Sequence, residues 1–148
     1  MCTPHLLGRH SSCARYASMV SLIDSEAKGS MRDFVLVKLT DEEFDDFSAR
    51  HPQGNFQQTS AMGRLRAAQG IDVEYLALKE GEKIVAAALF ETHRSRFSTF
   101  AVIHDGPMCD YHDTEALTFF MDALKRHAKA KGASQLEITP ESPYRLRD

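Results

Sequence analysis

The chain has 148 residues, enough for one domain with a hydrophobic core. Hydrophobic residues make up 43% and charged residues 26%, and a formal net charge of −3 provides no broad basic field for nucleic acid. No apolar run approaches the roughly 20 residues that cross a bilayer, so we expect no transmembrane segment. The three scattered cysteines, Cys2, Cys13 and Cys109, do not form a disulfide framework and favour a reducing cytoplasm.

Residues 1–30 differ from the rest of the chain because they lack a sustained apolar period. Their longest apolar stretch, ASMVSLI, is too short for a signal peptide. We interpret residues 1–30 as a flexible or wrongly assigned leader, and residues 31–148 as a single patterned domain.

The patterned part opens with a strand and a strongly marked helix start. The run FVLVKL (34–39) is rich in β-branched and apolar residues, which is typical of a strand. Thr40 and Glu43 then have the spacing of a capping box, and Leu39 and Phe44 that of a hydrophobic staple. The sequence HPQGN (51–55) ends this helix.

A second helix and three strands follow. The helix is predicted from Thr59 or Ser60 through Gln69, with Gly70 as its C-terminal cap. The runs 73–79 and 83–92 flank a turn at Gly81 and predict a hairpin, and 97–103 predicts a third antiparallel strand.

A long helix and a short strand complete the pattern. Apolar residues recur at helical spacing over 114–131, and Gly132 ends the helix; these apolar residues are Leu117, Phe120, Met121, Leu124 and Ala128. The helix is long enough to act as a crossover, so the strand at 135–139 should lie parallel to its predecessor. We therefore predict an α/β (α+β) fold with a mixed sheet, in the order strand, helix, helix, three antiparallel strands, helix, strand.

The stretch IHDGPMCDYHD (103–113) admits two interpretations. Its His, Cys and Asp side chains could ligate a metal, but their spacing matches no zinc motif, so no metal is expected. Alternatively Gly106 and Pro107 form a turn, and Asp113 caps the next helix. The turn-and-cap interpretation explains more residues.

The same stretch bears on cofactor binding. The N-terminus of a helix that follows a strand is a general anion site. Here the approach to that helix contains a single glycine, a proline without an N–H group and several aspartates. This composition disfavours the pyrophosphate of coenzyme A, so we expect no cofactor.

Four segments in order resemble the first domain of the Fem-type (FemABX) aminoacyltransferases. The segments are NFQQTSAMGRLR (55–66), YLALKEGEKIVAAALF (75–90), GPMCDY (106–111) and LEITPESPY (136–144). The resemblance implies a GNAT-like (acyl-CoA N-acyltransferase-like) fold, incomplete at its C-terminus. It also implies transfer of an amino acid from aminoacyl-tRNA to the stem-peptide amine of a nucleotide- or lipid-linked peptidoglycan precursor. A second GNAT-like domain or chain would be the partner of this one, as in a two-domain enzyme of which this chain is a fragment.

The resemblance also implies site residues. Gln58 and Tyr111 match motif positions and are expected to bind substrate, and Arg66 matches a basic residue that contacts the precursor's diphosphate. Asp110 is a candidate for orienting the acceptor amine, although a turn or capping role is the alternative. Two motif positions differ from the family pattern, with Asp105 in place of a basic residue and Thr139 in place of an acidic one.

Three functions are therefore open at this point. One is a cytoplasmic aminoacyltransferase of cell-wall synthesis, the second a GNAT-type N-acetyltransferase that uses acetyl-CoA, and the third a non-catalytic binding module. Other titratable and aromatic residues are assigned to structure: His51, His93 and His127 to the surface, and Phe44, Phe47, Phe119 and Phe120 to the core.

Overall fold

The computed structural model describes residues 32–140, so the leader predicted at 1–30 lies outside the described residues. The described part contains six strands and three helices. In chain order they are β1 (Phe34–Lys38), α1 (Asp41–Arg50), α2 (Ser60–Ala68), β2 (Asp72–Glu80), β3 (Lys83–Arg94), β4 (Thr99–His104), β5 (Met108–Cys109), α3 (Thr114–Ala130) and β6 (Leu136–Thr139).

All six strands belong to one mixed sheet with the main order β1-β2-β3-β4-β6. The first four of these strands pair antiparallel to their neighbours. Strand β6 pairs parallel with β4, with Ile103 opposite Ile138, because α3 carries the chain back across the sheet. The predicted order of the helices and of the longer strands is confirmed, and so is the parallel final strand.

Alternating side chains divide the core between the two faces of the sheet. On one face α3 buries Phe120 and Leu124 against Phe90 and Ile103. On the other face α1 and α2 pack against a second cluster, which contains Phe44, Leu39, Ala77, Ala87, Leu89 and Met108. The assignment of the four phenylalanines to the core is confirmed, with Phe47 partly buried.

The helix ends form as their sequence signals indicate. Thr40 and Glu43 make both hydrogen bonds of a capping box. Thr59 caps α2, and Gly70 follows the helix with φ of 86°, a left-handed conformation that suits glycine. Asp113 caps α3 by accepting a hydrogen bond from the Ala116 N–H.

One element was missed in the sequence. Met108 and Cys109 form the short strand β5, which pairs antiparallel with Ala86 and Ala87 of β3. The turn interpretation of 103–113 is therefore correct for its two ends and incomplete in the middle. None of the three helices within residues 32–140 has the length and apolar composition of a membrane-spanning helix.

Candidate functional site

The loop between α1 and α2 is hydrogen-bonded to the junction between β4 and α3. The Cys109 N–H donates to Gln53 Oε1 (2.9 Å), and Asn55 Nδ2 donates to the carbonyl of Asp105 (2.9 Å). Gln58 Nε2 donates to the carbonyl of His104 (2.6 Å). Two segments about 50 residues apart in sequence are thereby fixed as one unit, which we call the loop–junction unit (residues 51–59 and 104–113).

Gln58 is the buried centre of the loop–junction unit. It is 1% exposed, and its Oε1 accepts a hydrogen bond from the Leu89 N–H at 2.8 Å. A Cβ at Gly106 would lie 3.0 Å from both the Gln58 Cδ and Nε2 atoms, so glycine allows this close approach. Substrate contact by Gln58 stays a prediction, and its burial favours positioning of the unit instead.

The two other motif residues at the junction are more accessible. Asp110 is exposed, and its Oδ1 accepts a hydrogen bond from the His112 N–H (2.9 Å), which forms a local turn. Its Oδ2 has no hydrogen-bond partner within residues 32–140. Tyr111 is half-buried and donates its hydroxyl hydrogen to the carbonyl of Pro107 (3.1 Å). Asp110 therefore combines the predicted turn role with one carboxylate oxygen that accepts no hydrogen bond from the described residues.

The N-terminus of α3 is occupied by the protein's own charged groups. Arg32 binds the Asp113 carboxylate through Nη1 and Nη2, both at 2.7 Å, and binds Glu80 through Nε at 2.7 Å. Glu115 lies 3.6 Å from the same guanidinium. The hydrogen bonds from Arg32 lower the pKa of Asp113. Three carboxylates around one guanidinium make this helix end unfavourable for a pyrophosphate.

Arg66 faces a buried carboxylate on the sheet. Its Nε lies 3.4 Å from Glu91 Oε1, and the Glu91 side chain is 2% exposed. Arg64, two positions earlier, lies on another side of α2 and binds Asp41 at 2.8 Å. The two arginines therefore point in different directions, and phosphate binding by Arg66 stays a prediction.

Two histidines complete the group around Glu91. His93 Nε2 is 2.8 Å from Glu91 Oε2, and His104 Nε2 is 3.8 Å from the same oxygen. The His93 ring also stacks on Phe100, with ring centroids 4.9 Å apart. We call Arg66, Glu91, His93 and His104 the Glu91 cluster. It borders the loop–junction unit, because the His104 carbonyl accepts the hydrogen bond from Gln58.

The surface assignment of His51, His93 and His127 is corrected by the structure, in which all three are half-buried. His93 is half-buried against Glu91, and His127 Nε2 lies 3.1 Å from the buried Glu74. His51 is also half-buried, and burial lowers its pKa. The sequence contained one signal for the Glu91 cluster. Glu91 is a charged residue within AAALFETH of β3, directly after an apolar run, where an apolar residue would be expected.

The two departures from the family pattern lie next to each other. The Asp105 N–H donates to Thr139 Oγ1 (3.4 Å), and the Gly106 N–H donates to the Thr139 carbonyl (3.2 Å). Asp105 has φ of 50°, in the left-handed region that aspartate tolerates better than most residues. Thr139 thus has a structural role in holding the junction to β6.

Within the described residues, no group of three or more His, Cys, Asp or Glu side chains is arranged to hold a metal.

The sheet order and the positions of its helices define the class of protein. A GNAT family acetyltransferase of Staphylococcus aureus subsp. aureus USA300_TCH1516 superposes with a TM-score of 0.51 at 9% identity, covering 78% of this chain and 92% of that one. The crystal structure of FemX superposes with a TM-score of 0.68 at 24% identity, covering 74% of this chain and 28% of that one. These likenesses show the fold, a mixed GNAT-like sheet.

Sequence comparison then gives the family. The FemAB family matches residues 39–148, so the chain belongs to the FemAB family. Aminoacyltransferase FemA of Staphylococcus epidermidis is 29% identical over 108 residues, and FemA of Staphylococcus aureus strain COL is 30% identical over 108 residues. Each match covers 72% of this chain and 26% of the relative. The chain therefore spans about a quarter of the length of the curated relatives that it matches.

Proposed function

We propose that this chain acts in aminoacyl transfer to a peptidoglycan precursor. The amino acid would come from aminoacyl-tRNA and go to the stem-peptide amine of a nucleotide- or lipid-linked muropeptide in the cytoplasm. The reaction would form the interpeptide bridge and so contribute to cell-wall biogenesis and cell shape. The main support for the proposal is the loop–junction unit. There, separate sequence motifs of a FemAB family member meet next to the Glu91 cluster, which contains Arg66.

The chemistry requires an amine that is free of its extra proton. The amine nitrogen attacks the ester carbonyl of aminoacyl-tRNA, the new amide C–N bond forms, and the tRNA ribose oxygen leaves and accepts a proton. An ordinary alkyl ammonium has a pKa near 10.4, so a nearby acceptor is needed to orient it and take the proton. Asp110 is suited to orienting it, because its Oδ2 has no hydrogen-bond partner in the described part of the chain.

Arg66 would bind the phosphates of the same precursor. Guanidinium groups match phosphate oxygens with two parallel N–H donors. The guanidinium nitrogen nearest to Glu91 is Nε, and the two terminal nitrogens make no hydrogen bond to the described residues. Tyr111 and Gln58 would contribute to the same surface, Tyr111 by contact and Gln58 by holding the loop in place.

No cofactor is needed in this proposal. An aminoacyl ester is already activated for acyl transfer, so the protein's task is to position the two substrates and to accept a proton. Acetyl-CoA is the less suitable donor, because Asp113, Glu115 and Glu80 surround the helix end where its pyrophosphate would bind.

A binding module is the second candidate function. The observation that favours it is the local turn of Asp110, because a carboxylate that accepts the His112 N–H already has a structural role without catalysis. In that case the chain would hold the precursor and a second GNAT-like domain or chain would complete the transfer site.

The test is a transfer assay with the full 148-residue chain. The chain is incubated with tRNA carrying a radiolabelled amino acid and with a nucleotide-linked muropeptide, and in parallel with labelled acetyl-CoA and the same muropeptide. Label that moves from tRNA to the muropeptide supports the proposal. Label that moves from acetyl-CoA overturns it, and muropeptide binding without transfer supports the binding module instead. An Asp110→Asn variant, which keeps the side-chain shape, should lose most of the transfer.

A further inference from the structure

The Glu91 cluster contains a buried carboxylate that the proposed chemistry does not use. Glu91 is 1% exposed and lies on β3, on the sheet face covered by α2. A carboxylate at this depth is tolerated when charged or polar partners surround it. Its two oxygens have different partners, with Arg66 at Oε1 and the imidazoles of His93 and His104 at Oε2.

The contact with Arg66 is made on one side of the guanidinium. Arg66 Nε is buried at 3.4 Å from Glu91 Oε1 and has no hydrogen bond within residues 32–140. The contact is therefore an ion pair that constrains the direction of the side chain. The side chain as a whole is 25% exposed, so the guanidinium lies at the boundary between core and solvent.

On the other side, His93 is within hydrogen-bond distance of the carboxylate, and His104 lies farther away at 3.8 Å. His93 approaches Oε2 closely, and its stacking on Phe100 restricts the ring. His104 is tied to the loop–junction unit through its carbonyl, which accepts the bond from Gln58. The orientation of Glu91 is thus set by β3, by β4 and by the loop that also carries the motif residues.

We propose that Glu91 is a positioning residue that holds Arg66 by its Nε side so that the terminal nitrogens face the phosphates of the precursor. This inference rests on the proposed function. Flexible arginine side chains lose rotamer freedom on binding, and a guanidinium that is already held loses less. Glu91 therefore raises affinity without touching the substrate.

The test is a double-mutant cycle on the full chain with a nucleotide-linked muropeptide as the probe, measured by isothermal titration calorimetry. Glu91→Gln should weaken binding about tenfold in the wild-type background, because interacting residues are coupled on this scale. In the Arg66→Ala background the same change should weaken binding less than about twofold. An equal loss in both backgrounds, or no loss in either, would overturn the inference.

A second measurement requires no variant and no ligand. The exchange of the Arg66 Hε proton with solvent is compared by NMR with that of Arg64, whose side chain is 64% exposed and serves as the matched control. Arg66 should exchange at least about tenfold more slowly, because its Nε is buried. Equal exchange rates for Arg66 and Arg64 would show that the Arg66 guanidinium is not held against Glu91. A wild-type chain that binds no muropeptide would overturn the proposed function, whereas binding unaffected by Glu91→Gln would overturn this inference alone.

Discussion

Glu74 provides the sharpest test of how charge stabilises this fold. Its side chain is 7% exposed on the face covered by α3, where Lys38 Nζ lies 2.8 Å from Oε2 and Lys131 Nζ lies 2.9 Å from Oε1. His127 Nε2 lies 3.1 Å from Oε2. Burial by itself raises the pKa of Glu74, but the hydrogen bonds from Lys38, Lys131 and His127 outweigh burial and lower the pKa from 4.5 to about 2.

The direction of the pH dependence follows from this lowered pKa. The stabilisation is fully present above the unfolded-state value of 4.5 and is lost as the pH falls through about 2. Lowering the pKa from 4.5 to about 2 corresponds to roughly 3 kcal/mol in the free energy of unfolding. About 2 kcal/mol of this is lost between pH 6 and pH 3.

The perturbation is Glu74→Gln, measured by urea unfolding with circular dichroism at pH 6 and pH 3. The advantage of the wild type over the variant should shrink by about 2 kcal/mol between the two pH values. Glu82→Gln, in the exposed turn between β2 and β3, is the control. It shows how loss of a carboxylate away from the ion pairs of Glu74 changes the free energy of unfolding between pH 6 and pH 3. A wild-type advantage that is the same at both pH values would show that the ion pairs of Glu74 do not lower its pKa in the folded chain.

Three further predictions concern the candidate site. Gln58→Met should lower the free energy of unfolding by about 2 kcal/mol or more, because two buried backbone groups lose their partner; an unchanged urea midpoint would contradict this. Burial raises the pKa of the Cys109 thiol to about 11. Iodoacetamide at pH 8 should therefore alkylate Cys109 at least about tenfold more slowly in the folded chain than in urea, as measured by peptide mass mapping. Equal alkylation rates would show that the thiol is accessible. Arg66→Ala should weaken binding of the nucleotide-linked muropeptide about tenfold. It should also lower the melting temperature, because it removes a partner of buried Glu91. The control Arg64→Ala should leave binding unchanged, and equal binding losses in the two variants would remove Arg66 from the site.

The features that could be predicted from sequence are those encoded locally. Thr40 and Glu43 specify a helix start within four residues, and Asp113 caps a helix that its own apolar spacing defines. The order of these elements was sufficient to predict the parallel pairing of β6 with β4, because a helical crossover leaves few alternatives.

The Glu91 cluster could not be predicted in the same way. Glu91 and His104 are brought together by the register of β3 on β4, and Arg66 reaches them only once α2 has packed on the sheet. Strand β5 was missed for a related reason, since two residues carry no period and their pairing partner is about 20 residues away. Gln58 was identified as a motif residue, but its burial depends on the approach of Gly106, which is far away in sequence.

The most direct test of the proposed function is to map the site at which the precursor binds to the full chain. Backbone amide shifts are followed by NMR during titration with the nucleotide-linked muropeptide and, separately, with coenzyme A. The muropeptide should shift resonances around Arg66, Asp110 and Tyr111, and coenzyme A should leave residues 113–116 at the start of α3 unperturbed. Saturable shifts at 113–116 with coenzyme A, together with none from the muropeptide, would contradict the proposed function.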